Sequence, residues 1–209
     1  MPRTSAEFRL RREQADVAHS LIGIDEVGRG SWAGPLLVVA VRAKTALPAG
    51  LKDSKVMTKL QREKILNKLS ICCDFGEGWV SATEIDEHGL ADALRLGVAK
   101  ALLALSAEAD EEIIMDGKVN YVPAHFSNVK CIIDADALIP LVSAAGIYAK
   151  VRRDEYMAKL KQLHPAYGFE KHVGYGTAAH RLAIIEHGII KDIHRMSFKP
   201  VRLIAEAQA

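Results

Sequence analysis

Residues 20–43 read SLIGIDEVGRGSWAGPLLVVAVRA, and their pattern decides the architecture. Residues 20–27 are a short apolar run that ends on Asp25 and Glu26, as a buried strand does on reaching a sheet edge. Residues 35–43 are a second run, rich in Val and Leu, joined to the first by a glycine turn. Outward from this pair, residues 76–82 form a candidate third strand. A helix is expected to begin at Thr83, with Asp86 three residues on and an apolar face through Leu90, Leu94, Val98, Ala101 and Leu105. Residues 112–116 (EIIMD) and 129–134 (VKCIID) read as strands, and residues 140–163 as a long helix, apolar early and charged later. Gly174 and Gly176 interrupt the chain before a helix over 178–187. The first eighteen or so residues read as a polar helix or arm, and the closing FKPVRLIAEAQA has no defined pattern. Strands that come early and then alternate with helices predict a single α/β domain with a mixed sheet.

The 209 residues suit one globular domain, and 49% hydrophobic content allows a sizeable core. With 28 basic and 26 acidic residues, the net charge of +2 excludes a histone-like binder but permits a local basic groove. The cysteines, Cys72, Cys73 and Cys131, match neither a zinc site nor a disulfide framework, so they are expected to be reduced and structural. The N-terminus is charged throughout and no run approaches the ~20 apolar residues that span a bilayer. The expectation is a soluble, cytoplasmic monomer.

The acids carry the chemistry. Asp25 and Glu26 end one strand, Asp116 ends another, and Asp134 and Asp136 end a third. A carboxylate beside a buried strand is costly unless paired or coordinated, and several converging on one spot repel each other. A hard divalent cation resolves that repulsion. The alternative is that each acid is a solvated turn residue. The glycines of Gly28-Arg29-Gly30 allow backbone to approach a phosphate or a sugar, although a tight hairpin turn would explain them as well. Their spacing matches neither a dinucleotide fingerprint nor a P-loop.

Several segments resemble the type 2 ribonucleases H, the ribonuclease HII family. IGIDEVGRGSWAGP is similar to that family's DEVGRGPLAGP, and LKDSKVMTKLQRE to its DSKKLS segment. IIMDG, AAGIYAKVRRDEYM, YGFEKHVGYGTAAH and HRMSFKP resemble IIDG, AAASILAKVTRDRLM, YGFEKHKGYGTKEH and HRRSFAP, in family order over roughly residues 20–200. The resemblance implies a ribonuclease H-like mixed sheet flanked by helices, over about 20–155, with a C-terminal helical part over about 156–209. It implies hydrolysis of the RNA strand of RNA–DNA hybrids, cutting at ribonucleotides embedded in duplex DNA, and Mg²⁺ or Mn²⁺ held by four acids.

Asp25, Glu26 and Asp116 carry over onto three of those acids. For the fourth, residues two apart in a strand face the same way, so geometry ties Asp134 to Asp136. An ungapped register back from Ala149-Lys150-Val151 selects Asp136, with Asp134 as a possible neighbour in the cluster. Gly28, Arg29 and Gly30 are expected along the minor groove near a 2′-hydroxyl, and Tyr175 against the sugar at the cleavage junction. Ser54 and Lys55 match a phosphate-contacting segment. Lys150, Arg152 and Arg153 could meet the nucleic-acid backbone, a solvated helix face being the alternative for the last two. His164, His172, His180 and His194 lack metal-ligand spacing and are expected at the surface or in packing. The chain departs from the family motifs at Ser31-Trp32, Val56, Ala135, Leu138 and Gly146, where the family carries Pro-Leu, lysine, glycine, lysine and serine.

Overall fold

The structure, a computed structural model, describes residues 21–51 and 54–208, together with the backbone but not the side chain of Lys55. The polar arm expected before residue 19 lies outside the described residues. Strands β1 (Leu21–Val27), β2 (Leu36–Ala43) and β3 (Cys73–Val80) are followed by β4 (Glu112–Asp116) and β5 (Val129–Ile132). The helices are α1 (Lys59–Cys72), α2 (Ala82–His88), α3 (Leu90–Ala104), α4 (Ala135–Leu138), α5 (Pro140–Leu163), α6 (Phe169–His172), α7 (Ala178–His187) and α8 (Lys199–Glu206). Together the strands make one mixed sheet in the order β3-β2-β1-β4-β5. β2 runs antiparallel to both β1 and β3, whereas β4 lies parallel to both β1 and β5.

Alternation along the strands sends side chains to two cores. Ile22, Ile24, Leu36, Val38 and Ala40 pack with Leu94, Val98 and Ala101 of α3 on one face. On the other, Leu37, Val39 and Val41 pack with Leu69 of α1 and with Leu141, Ala144, Ala145 and Ile147 of α5. The backbone of α5 lies directly on β1: a Cβ at Gly23 would come within 2.8 Å of the Leu141 carbonyl carbon. This approach sets α5 over the end of β1 that bears Asp25.

The expected α/β order is present, with boundary corrections that have local causes. β3 starts at Cys73, earlier than expected, and the next helix at Ala82. Its capping box is Ser81 with Glu84, not Thr83 with Asp86. Asp86 instead accepts hydrogen bonds from the amides of Met196 and Ser197, at 2.7 and 2.9 Å, tying α2 to the C-terminal segment. Gly89, at φ +78°, splits the expected single helix into α2 and α3. α1 is an addition: it has almost no amphipathic pattern and buries only Leu69 and Cys72, so no periodic signal marks it. The undefined C-terminus contains α8.

The largest correction concerns residues 129–136. β5 ends at Ile132, Asp134 adopts a left-handed conformation (φ 56°, ψ 32°), and Asp136 lies in the first turn of α4. Two residues apart therefore does not mean one strand face. Asp134 is exposed and Asp136 is buried.

Candidate active site

Asp25 and Asp116 sit side by side because β1 and β4 are parallel, with Ile24 opposite Met115 one step before them. Ile24 and Met115 both enter the α3-side core, so alternation turns the next residue of each strand toward α5. The α4 turn brings Asp136 to the same place. Asp116 Oδ1 accepts the Ala135 amide at 2.7 Å, which fixes the start of that turn, and Asp136 follows directly. Glu26 alternates away from Asp25, and its carboxylate faces the Arg29 guanidinium at 3.5 Å.

Asp25 is the electrostatic centre of this group. Its carboxylate is nearly enclosed, and Oδ1 accepts the Glu26 amide at 2.7 Å. Burial, followed by the charge of Glu26 and then of Asp116 and Asp136, holds its pKa well above the usual carboxylate range. A cation placed among these acids would offset the mutual repulsion that favours the protonated form. The donor set is all oxygen, which suits Mg²⁺ or Mn²⁺ and not a soft metal. Among the described residues, no group of three or more His, Cys, Asp and Glu side chains is already gathered as a ligand set. The four acids share a field without forming a cage.

Beside the acids, residues 28–35 make a loop braced by two fully buried arginines. Arg153 of α5 donates to the carbonyls of Pro35 (2.8 Å), Val173 (2.8 Å) and Ala33 (3.2 Å). Arg195 donates twice to Gly34 O, at 2.8 and 3.0 Å, and once to Arg29 O at 3.0 Å. Gly28 lies against Arg153, where a Cβ would come within 2.1 Å of Nε. Arg153 is therefore neither a phosphate contact nor part of a solvated face. Its guanidinium is consumed by backbone carbonyls, which a buried arginine requires. Arg152 is half-exposed and bound to Glu77 at 2.8 Å, and Lys150 is bound to Asp154 at 2.7 Å.

The glycine loop meets the segment that carries Tyr175. The amides of Trp32 and Ala33 both donate to Gly174 O, and Gly176 leaves room for the Trp32 ring. Tyr175 projects half-exposed, with Arg153 Cζ 5.8 Å from its ring centre and the Gly30 backbone at its edge. Gly28, Arg29, Gly30 and Tyr175 thus come together, with Arg29 exposed. Ser54 is buried in a short turn, its carbonyl held at 3.0 Å by Arg62 of α1, which also approaches Asp154 of α5. That turn is braced against α5.

Behind Tyr175, His172, His180 and His194 are buried together, the packing role expected of most of the histidines. His194 Nδ1 accepts the Ile190 amide at 2.8 Å, so its neutral ring carries the proton on Nε2 and donates to His180 Nε2 at 3.2 Å. His180 in turn donates from Nδ1 to Tyr175 O at 3.0 Å. These tautomers are assigned from the partners. Burial, and for each ring a neighbouring histidine, pushes both His180 and His194 down to about 4.

Arg153 and Arg195 are the site residues whose bracing role has no sequence signal, because their partners are main-chain carbonyls distant in sequence.

Comparison with known proteins gives the same identification. A sequence profile of the family described as ribonuclease HII matches residues 22–201. Ribonuclease HII of Acidovorax sp. (strain JS42) is 41% identical over 189 residues, 88% of each chain. That of Parvibaculum lavamentivorans is 40% identical over 197 residues, 94% of this chain and 72% of the relative. The crystal structure of ribonuclease H2 from Pyrococcus horikoshii OT3 superposes with a TM-score of 0.72 at 29% identity, covering 90% of this chain and 97% of that one. Its sheet and helices are those of the ribonuclease H-like fold. With a family match across nearly all the described residues and relatives this similar, the chain belongs to the ribonuclease HII family and is a hydrolase of the ribonuclease H type.

Proposed function

We propose that the chain is a divalent-metal-dependent endoribonuclease. It cuts the RNA strand of RNA–DNA hybrids and incises at ribonucleotides embedded in duplex DNA, leaving 5′-phosphate and 3′-hydroxyl ends. The observation that supports this is Asp25, buried in the field of Glu26, Asp116 and Asp136. These four acids would hold Mg²⁺ or Mn²⁺. The bound ions supply a water of lowered pKa and positive charge at the scissile phosphate and the leaving oxygen.

The protein's own residues position the substrate. The Gly28–Gly30 backbone, pinned through Arg29 O by Arg195, presents a surface without side-chain bulk at the edge of a sugar. Tyr175 offers its ring beside it, and the 2′-hydroxyl between them is what separates RNA from DNA. Arg29 is exposed for phosphate, and the Ser54–Val56 turn braced on α5 is a second phosphate contact.

The test is cleavage of a duplex holding one ribonucleotide, with the product ends identified. Asp116→Asn should lower cleavage by roughly 10²–10³-fold or more, the scale of removing one preorganised group from a site. An amide oxygen can still accept the Ala135 amide, so the circular dichroism spectrum should stay that of the parent. Near-normal cleavage by this variant at saturating Mg²⁺ and Mn²⁺ overturns the assignment.

A further inference from the structure

Gly146 lies in the middle of α5, where a glycine weakens a helix relative to alanine. Its position explains its presence. A Cβ built there would fall 2.2 Å from Asp25 Oδ2 and 3.4 Å from Asp25 Cγ. The carboxylate oxygen thus occupies the space a side chain would fill. The other oxygen is held back by the Glu26 amide. Asp25 also lies in the field of three other acids. Together these observations describe a carboxylate seated in space against the helix that a side chain at residue 146 would fill.

We propose that Gly146 is a niche into which Asp25 retracts from Glu26, Asp116 and Asp136 when no cation is bound, making Gly146 a positioning residue that sets how strongly the site takes up metal. This rests on the proposed metal dependence. A side chain at residue 146 evicts the carboxylate toward its neighbours. The metal-free state loses its relaxed arrangement, whereas the state in which a cation draws Asp25 outward loses nothing. Filling the niche therefore destabilises the metal-free protein and tightens metal binding, since a ligand gains whatever its competing state loses.

The experiment compares the full chain with Gly146→Ala. Thermal unfolding is measured in EDTA and in MnCl₂, and Mn²⁺ binding by calorimetry. In EDTA the variant should melt below the parent, against the direction of helix propensity. Its Mn²⁺-induced rise in Tm should be the larger, and its Mn²⁺ affinity about threefold tighter or more. In an Asp25→Ala background the same substitution should be harmless or stabilising, because no carboxylate remains to be evicted. Equal or higher stability of Gly146→Ala in EDTA overturns the niche. So does a loss that persists without Asp25, or Mn²⁺ affinity that is unchanged or weaker. If Gly146→Ala does not fold, the double variant decides: folded, it supports the niche, and unfolded, it overturns it. A parent chain that takes up no Mn²⁺ overturns the metal dependence, and the EDTA arm then judges the niche alone.

Discussion

Asp134 and Asp136 show how far two neighbouring residues of one type can diverge. Asp134 is exposed in a left-handed turn, a conformation that aspartate and asparagine tolerate better than most residues. Asp136 is enclosed and contributes to the field on Asp25. Asp136→Asn should therefore lower cleavage by roughly 10²-fold or more, the scale of a preorganised charge. Asp134→Asn should leave both cleavage and stability close to the parent. Steady-state cleavage of a single-ribonucleotide duplex by the two variants checks this, and the reverse order would move the fourth acid to Asp134. The choice of Asp136 was legible only through the motif register. The strand geometry first used to relate the two acids does not exist, because the apolar run Cys131-Ile132-Ile133 carries a strand signal past the point where the backbone turns away. Asp25, Glu26 and Asp116 were legible for a stronger reason: each closes an apolar run that really is a strand.

At the scale of elements, α5 and α7 have the ends that the sequence predicts, whereas α1 escaped it. What separates them is packing. α1 buries so little that its composition is that of a surface segment, while α5 crosses the sheet and then runs on through the braces of residues 28–35. Arg153 belongs to the charged half of α5, which reads as a solvated face. Its burial is dictated by three carbonyls presented by other segments, a pattern no window along the helix contains. Arg153→Met keeps much of the volume and leaves those carbonyls without a donor. It should cost about 2–5 kcal/mol in urea unfolding, the range for orphaned buried polar groups. Arg152→Met, one residue earlier and half-exposed, should cost about 1 kcal/mol or less. Comparable losses at the two positions would remove Arg153 from its role as a brace.

For the whole molecule, the buried histidines set a pH limit on stability. Both are depressed from 6.5 to about 4, so between these values the unfolded chain binds protons that the folded chain refuses. Their contribution is complete above about 6.5 and is lost progressively as pH falls toward 4. Each ring's shift corresponds to about 3 kcal/mol, so the loss should be several kcal/mol for the pair. Asp25 acts in the opposite sense, because its raised pKa makes the folded state the better proton binder. Comparing the parent with His194→Gln in EDTA, by urea unfolding at pH 7.5, 6 and 5, isolates the histidine part. The variant should show the shallower pH dependence, and an unchanged slope would remove the buried histidines as the source of the pH limit. A protonated ring would also set N–H against N–H at the 3.2 Å contact that leads to Tyr175 O, so the segment around Tyr175 should loosen first.

The braces have a consequence for the order in which the protein is made. All four acids lie before residue 137, whereas the groups that hold residues 28–35 arrive with Arg153, Gly174 and finally Arg195. A chain still emerging from the ribosome carries these acids well before the loop beside them can take its shape.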